Sequence, residues 1–316
     1  MKTNKTISLN LPWNKLIEEF LAKISTKKTT IETYQYALNS WVAFLEREEK
    51  PIDSLRVMAY QKDMLERDLS AYTIGVYLSA LKKFFDYLIE KKQMTINLVE
   101  TVVRPEKPEA RKECLAHDEF LKAVKLLDEW SNNTANGLRD RTIIAFKLFT
   151  GLRDISLVTA NIKDFQIKDG IPTLHYQAKG KNSKDKMVIL TRRPYRILTD
   201  YLNKRPSAKI KDPLLVSHSR RNPNQRLTRK TFYRVGQNFL KSLGIQRPTV
   251  TPHSLRHTAI TFAIIGGADI TQAKDMAGHK HIETTEGYRH KLTRLTDPAE
   301  EYIEKYVNKQ MSLKKG

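Results

Sequence analysis

The chain is expected to fold as a mainly α-helical protein with one small antiparallel β-sheet. Apolar residues recur at three- and four-residue spacing over most of its 316 residues. Between residues 164 and 190 that spacing gives way to short strand-like runs joined by turn residues. Near residue 105 a stretch with two prolines and dense charge interrupts the helical pattern, so two domains are expected.

From about 11 to 98 the pattern is helical throughout. Trp13, Leu16, Ile17, Phe20, Leu21 and Ile24 mark the first helix. Thr29 and Glu32 suggest a capping box for the second, which carries Tyr34, Leu38, Trp41, Val42 and Leu45. A third follows Asp53 with Val57, Tyr60, Met64 and Leu65, and a fourth follows Ser70 with Ile74, Leu78, Leu81, Phe84, Phe85 and Leu88. Trp41, Phe84 and Phe85 lie on the apolar stripe and are read as packing residues rather than base-stacking ones. The domain is bounded at 11–100 and a linker at 101–114. The remainder, 115–316, forms the second domain.

In that domain the periodicity predicts helices over Asp118 to Trp130 and Leu138 to Thr150, then strands over about 164–167, 173–177 and 187–190. Lys168-Asp169-Gly170 is the first turn and the lysine-rich stretch after Ala178 the second. A helix over Tyr195 to Asn203 precedes a basic segment containing Arg220, Arg221 and Arg226, and Thr228 starts another through Phe232, Val235, Phe239 and Leu240. Thr251-Pro252-His253 opens a helix that Gly266-Gly267 stops. A short helix over Ile270 to Met276 ends at Gly278, and Thr284 or Thr285 can cap one bearing Tyr288. Asp297-Pro298 begins a C-terminal amphipathic helix.

Lys plus Arg number 56 against 35 Asp plus Glu, a net charge of +21 that points to a polyanionic partner, with nucleic acid foremost. No long apolar run suits a membrane, and the N-terminal stretch is too short and polar for a signal sequence, so the expectation is a cytoplasmic, nucleoid-associated protein. One cysteine, Cys114, rules out an internal disulfide and any multi-cysteine zinc motif.

The chemistry concentrates between Thr251 and His290. His253 and Arg256 stand at i and i+3, on one helix face, and His279 and Tyr288 follow. Arginine's planar fork matches phosphate oxygens and offsets the extra charge of a pentacoordinate transition state. A tyrosine can be the nucleophile, but with a pKa of about 10 only roughly one in a thousand is phenolate at neutral pH, so neighbouring cations or a base must assist. His253 and His257 at i and i+4 could instead suggest zinc, yet the glutamate of a zinc-protease helix is missing and Arg256 would repel a cation. No metal and no cofactor is expected.

His253-x-x-Arg256-His257, Gly278-His279 and Tyr288 nine positions later, with Thr150-Gly151-Leu152-Arg153 upstream, resemble the tyrosine recombinase (phage integrase) family. The family also has a lysine in a β-hairpin, and Lys179 in Ala178-Lys179-Gly180-Lys181 fits best, with Lys181 and Lys184 as competitors. The resemblance implies a SAM-like four-helix core-binding domain before an α+β catalytic domain. It also implies cleavage and rejoining of double-stranded DNA through a 3′-phosphotyrosyl link made by Tyr288, with Arg153, Lys179, His253, Arg256 and His279 assisting. A homo-tetramer on two DNA sites would exchange strands, its C-terminal helix docking on a neighbouring subunit or back in cis; accessory proteins are left open. Lys27, Lys28, Lys82, Lys83, Arg220, Arg221, Arg229 and Lys230 are candidate DNA contacts.

Three positions depart from the family pattern. Ser156 stands where an acid often orients the first arginine, Asn97-Leu98 replaces Asn-Pro, and Ala277 replaces a leucine. The alternatives are a type IB topoisomerase, which shares the chemistry but relaxes DNA as a monomer, and a DNA-binding accessory protein that has lost catalysis.

Overall fold

A computed structural model describes residues 11–24, 26–47, 50–106, 113–177 and 183–278. The chain divides into two compact units, Met1–Ala110 and Arg111–Gly316. As expected, the described residues are mostly helical with one small antiparallel sheet.

The first unit contains α1 (Trp13–Lys23), α2 (Lys28–Leu45), α3 (Ser54–Glu66) and α4 (Ala71–Glu90). Their apolar stripes meet around Trp41, Tyr60, Phe84 and Phe85, all fully buried. Trp41 meets Tyr60 and Phe85 edge-on, at ring-centroid distances of 5.1 and 6.0 Å, the arrangement favoured by the ring quadrupoles. These aromatics are therefore core. Asp53 caps α3 by accepting from the Arg56 amide at 2.8 Å, and Ser70 caps α4 by accepting from the Thr73 amide at 3.2 Å.

Two expectations fail here. The Thr29/Glu32 capping box does not form, because the amides of Thr30 and Ile31 already donate to the Lys27 carbonyl and start α2 one residue before Thr29. Leu65 is exposed, since it sits about 100° around the helix from buried Met64. Asn97 is buried and closes the unit: its amide donates to the Lys82 carbonyl at 2.9 Å and the Asp86 carboxylate at 2.6 Å, and its own oxygen accepts from the Val99 amide.

The second unit is built around α6 (Ala135–Thr150), whose residues Ile143 to Phe146 are completely buried. Around it pack α5 (His117–Asp128), α8 (Arg192–Leu202), α9 (Arg229–Ser242) and α10 (Ser254–Ile265). The sheet has the order β1 (Phe165–Lys168), β2 (Ile171–Tyr176), β3 (Lys186–Ile189). Asp169 and Gly170, both at positive φ (52° and 76°), form the two-residue turn between β1 and β2. Leu174 and Tyr176 alternate inward along β2, opposite Val188 and Lys186.

Element limits shift by a few residues. Asp164 is not in a strand; its carboxylate accepts from the Asn161 amide at 2.7 Å and holds a 3-10 turn over Ile162–Asp164. α8 starts at Arg192 because extended Thr191 takes the N-cap place and Pro194 fits the first turn. α10 starts at Ser254, so Pro252 lies in the turn before it. Among the described residues, no helix is long and apolar enough to cross a membrane.

Candidate active site

Three separated stretches meet in the second unit. At the end of α6, Gly151 adopts the left-handed conformation (φ 60°), reversing the chain so that buried Leu152 anchors the turn and Arg153 becomes the N-cap of α7 (Asp154–Thr159). On α10, Arg256 is only 3 % exposed and reaches across this turn. One guanidinium nitrogen donates to the Gly151 carbonyl and the other, at 2.7 Å, to the Ala277 carbonyl at the end of α11 (Ile270–Ala277). Arg153 reaches the next carbonyl, that of Gly278, at 3.5 Å.

Both arginines are thus gathered on the Ala277–Gly278 peptides. Gly278 is itself left-handed (φ 59°), which ends α11. Ala277 contributes its backbone carbonyl, so the departure from leucine leaves this contact intact.

His253 and Arg256 differ in exposure. His253 is exposed at the head of α10 and meets the His257 ring edge-on at 4.9 Å, whereas Arg256 is buried. His253 is the N-cap residue of α10 with a helical backbone (φ -74°, ψ -24°), and its carbonyl accepts from the amides of Arg256 and His257. The turn carrying His253 lies close on α9: a Cβ added at Gly236 would come within 2.7 Å of the Pro252 side chain.

Ser156 does not imitate the missing acid. Its hydroxyl donates to the Gln177 carbonyl at 3.1 Å, tying α7 to the segment that leaves β2. The nearby acid, Asp154, instead pairs with Lys147, which is buried inside α6. A buried ammonium needs such a partner, and the pair fixes α7 at the residue after Arg153.

Lys184, a competitor for the hairpin lysine role, is occupied. It donates to the Thr159 carbonyl at 2.8 Å and pairs with the Asp164 carboxylate. Lys179, Lys181, His279, Tyr288, the Thr284 or Thr285 cap and the C-terminal helix lie outside the described residues.

Sequence reasoning missed Tyr176. It is 2 % exposed, and among the described residues its hydroxyl has no hydrogen-bond partner. Burial raises its pKa, while Arg256 and then Arg153 pull it down. Its hydroxyl also lies against Gly278, inside the space that a Cβ there would fill. The inward alternation of β2 was the available signal: beside Leu174, Tyr176 must carry its polar end into the interior.

Of the candidate DNA contacts, Lys27, Lys28, Lys83, Arg220, Arg221, Arg229 and Lys230 are exposed and Lys82 is half-buried. Lys82 pairs with Glu100 at 3.1 Å, and Lys83 lies 5.5 Å from the Tyr34 ring centroid. Arg226 turns back onto the protein, donating to the Val158 and Ala160 carbonyls at 2.6 and 3.0 Å. Among the described residues no group of three or more His, Cys, Asp or Glu could hold a metal ion.

Residues 113–294 match the phage integrase family, and residues 17–92 match its N-terminal SAM-like domain. Tyrosine recombinase XerD of Listeria monocytogenes is 26 % identical over 292 residues, covering 88 % of this chain and 94 % of the relative. Tyrosine recombinase XerC of Thermodesulfovibrio yellowstonii is 25 % identical, with 87 % and 91 % covered. Among solved structures, the XerH site-specific recombinase in its post-cleavage complex with a palindromic difH substrate gives a TM-score of 0.67 at 21 % identity, over 82 % of this chain and 76 % of that one. A lambda integrase tetramer bound to a Holliday junction gives 0.68 at 19 % identity, over 90 % and 78 %. With the two arginines gathered on the turn before His279 and the family match spanning more than half its length, the chain belongs to the phage integrase family, the tyrosine-type site-specific DNA recombinases.

Proposed function

We propose that this recombinase cleaves one DNA strand at a time with Tyr288 as nucleophile. The phenolic oxygen attacks the scissile phosphorus in line, the bond to the 5′-oxygen breaks, and the products are a 3′-phosphotyrosyl link and a free 5′-hydroxyl. Arg153 and Arg256 hold the nonbridging oxygens and offset the charge that grows there. Lys179 gives its proton to the departing 5′-oxygen, His253 assists proton movement at Tyr288, and His279 hydrogen-bonds the phosphoryl group. Rejoining is the reverse attack by a 5′-hydroxyl. The phosphodiester's energy is held in the covalent link, so the proposed reaction needs neither ATP nor a metal.

The observation that carries this reading is the convergence of Arg153 and Arg256 on the carbonyls of Gly278 and Ala277. It brings both candidate phosphate-binding arginines to the turn that His279 follows. The type IB topoisomerase reading shares this chemistry, but the matching SAM-like domain and Xer relatives favour recombination.

We further infer the division of labour. Residues 11–100 would be the core-binding domain, 101–114 the linker, and 115–316 the catalytic domain with a C-terminal exchange helix. The partner would be double-stranded DNA, gripped with help from Lys27, Lys28, Lys82, Lys83, Arg220, Arg221, Arg229 and Lys230. A homo-tetramer on two sites is supported by the lambda integrase tetramer on its junction. Action in the cytoplasm on the nucleoid follows from such a substrate, and docking of the C-terminal helix on a neighbour would hold the tetramer together.

The test is to mix wild-type and Tyr288→Phe protein with fragmented host DNA in EDTA, denature, and sequence the DNA that stays attached to protein. Adducts in wild type alone, with both proteins binding DNA, support the reading and locate the cleavage site. DNA binding without adducts in wild type refutes it in favour of the non-catalytic alternative.

A further inference from the structure

We propose that the Tyr176 hydroxyl is a substrate contact, donating a hydrogen bond to a nonbridging oxygen of the phosphate held by Arg153 and Arg256. This rests on the phosphoryl-transfer reading above. The residue stands on β2, three positions before Lys179, in a strand whose remaining inward side chains are apolar.

Among the described residues the Tyr176 hydroxyl makes no hydrogen bond, although the ring that carries it is 98 % removed from solvent by the same 2 % exposure. Folded proteins seldom leave such a group orphaned without a functional reason. A phenylalanine would fill the same space without that cost.

Its surroundings indicate what it awaits. Arg256 and Arg153 donate to the Ala277 and Gly278 carbonyls of the turn against which the hydroxyl lies, and with Asp275 and Asp185 they are the charged groups that act on it. Guanidinium groups are donors only, so neither can accept the proton that the Tyr176 hydroxyl offers. The hydroxyl therefore needs an acceptor brought from outside, and two arginines recruit an anion. A phosphate oxygen satisfies all three donors together.

Gly278 makes room for this. Its left-handed backbone lies against the hydroxyl, and any Cβ at that position would collide with it. A glycine with φ 59° thus serves both the turn and the approach of Tyr176 to the arginine pair. Catalytic hydrogen bonds often tighten only when substrate is bound, so burial of the hydroxyl in the free protein is compatible with the role.

Three measurements decide it, made on a synthetic duplex carrying the cleavage site mapped with wild-type protein. Tyr176→Phe should bind this duplex within about twofold of wild type and form the covalent adduct about ten- to a hundredfold more slowly, the range of one hydrogen bond to a charged group. Its unfolding midpoint should stay level or rise by about 2–4 °C, because an unsatisfied hydroxyl has been removed. On duplexes with a methylphosphonate at the scissile position, the wild-type to Tyr176→Phe rate ratio should fall to within about twofold for one of the two stereoisomers, the one lacking the contacted oxygen.

A ratio unchanged across phosphate and both methylphosphonates, a rate equal to wild type, or a lowered unfolding midpoint would each overturn the proposal by showing a structural role or none. Failure of the underlying reading looks different: wild type itself would form no adduct, which removes both.

Discussion

The guanidinium of Arg256 donates to the carbonyl of Ala277 at 2.7 Å, joining the first turn of α10 to the end of α11 across 21 residues of chain. The same side chain also takes the Gly151 carbonyl. One arginine therefore holds together the turn at Gly151, which leads to Arg153, and the end of α11 at Ala277, and it does so with donors in a fixed plane.

That geometry makes charge alone insufficient. Arg256→Lys keeps the cation but cannot span both carbonyls, leaving a buried acceptor unsatisfied. Thermal unfolding should show a loss of about 1–3 kcal/mol. The rate of covalent adduct formation should fall by about 10²–10³. A lysine variant of wild-type stability would show that the two carbonyl contacts are dispensable.

Gly278→Ala combines a left-handed backbone with a collision against Tyr176. The backbone alone costs about 1–2 kcal/mol. In the double variant with Tyr176→Phe, part of the loss should be recovered, giving less-than-additive destabilisation by chemical denaturation. Strict additivity would mean that the hydroxyl does not press on this turn.

The Lys147–Asp154 pair predicts an asymmetric result. Lys147 is 2 % exposed, so Asp154→Asn strands a buried ammonium and should cost about 3 kcal/mol or more. Lys147→Met paired with Asp154→Asn should be less destabilised than Asp154→Asn alone, because the uncompensated charge is gone. Equal stability of the two variants, read by urea unfolding, would contradict this.

Glu119 links α5 to the 245–250 segment by accepting from both terminal nitrogens of Arg247, at 2.6 and 2.9 Å. Those bonds, with the amide of Ala116, hold its carboxyl below the usual range against an opposing effect of burial. A lowered folded pKa contributes stability above the unfolded value of about 4.3, and that contribution is lost as pH falls through the folded value. Glu119→Gln should thus be less stable than wild type at neutral pH, and the two should converge as the solution is acidified below about pH 4. Parallel curves would remove Glu119 from the acid response.

Much of this arrangement was legible from local chemistry. The apolar spacing in α4, the Asp53, Ser70 and Thr228 caps and the left-handed glycines Gly151 and Gly278 all act within a few residues, where sequence pattern reports directly. What escaped depends on distant partners. Nothing near Thr29 reveals that Lys27 already starts α2, and the i, i+3 spacing of His253 and Arg256 does not report that the first is exposed and the second buried. The fate of Lys184 was hidden for the same reason, since Asp164 lies 20 residues away. Tyr176 read only as a strand residue until the arginines beside it came from elsewhere in the chain.

The most direct test of the central claim is to identify the residue that becomes attached to DNA. The covalent complex would be digested with nuclease and trypsin and the peptides weighed. Cleavage after Lys280 and Arg289 yields His281 to Arg289, in which Tyr288 is the sole tyrosine. A nucleotide mass on that peptide, lost in Tyr288→Phe, is the predicted result. A nucleotide on any other peptide, or none while DNA remains bound, would contradict the account.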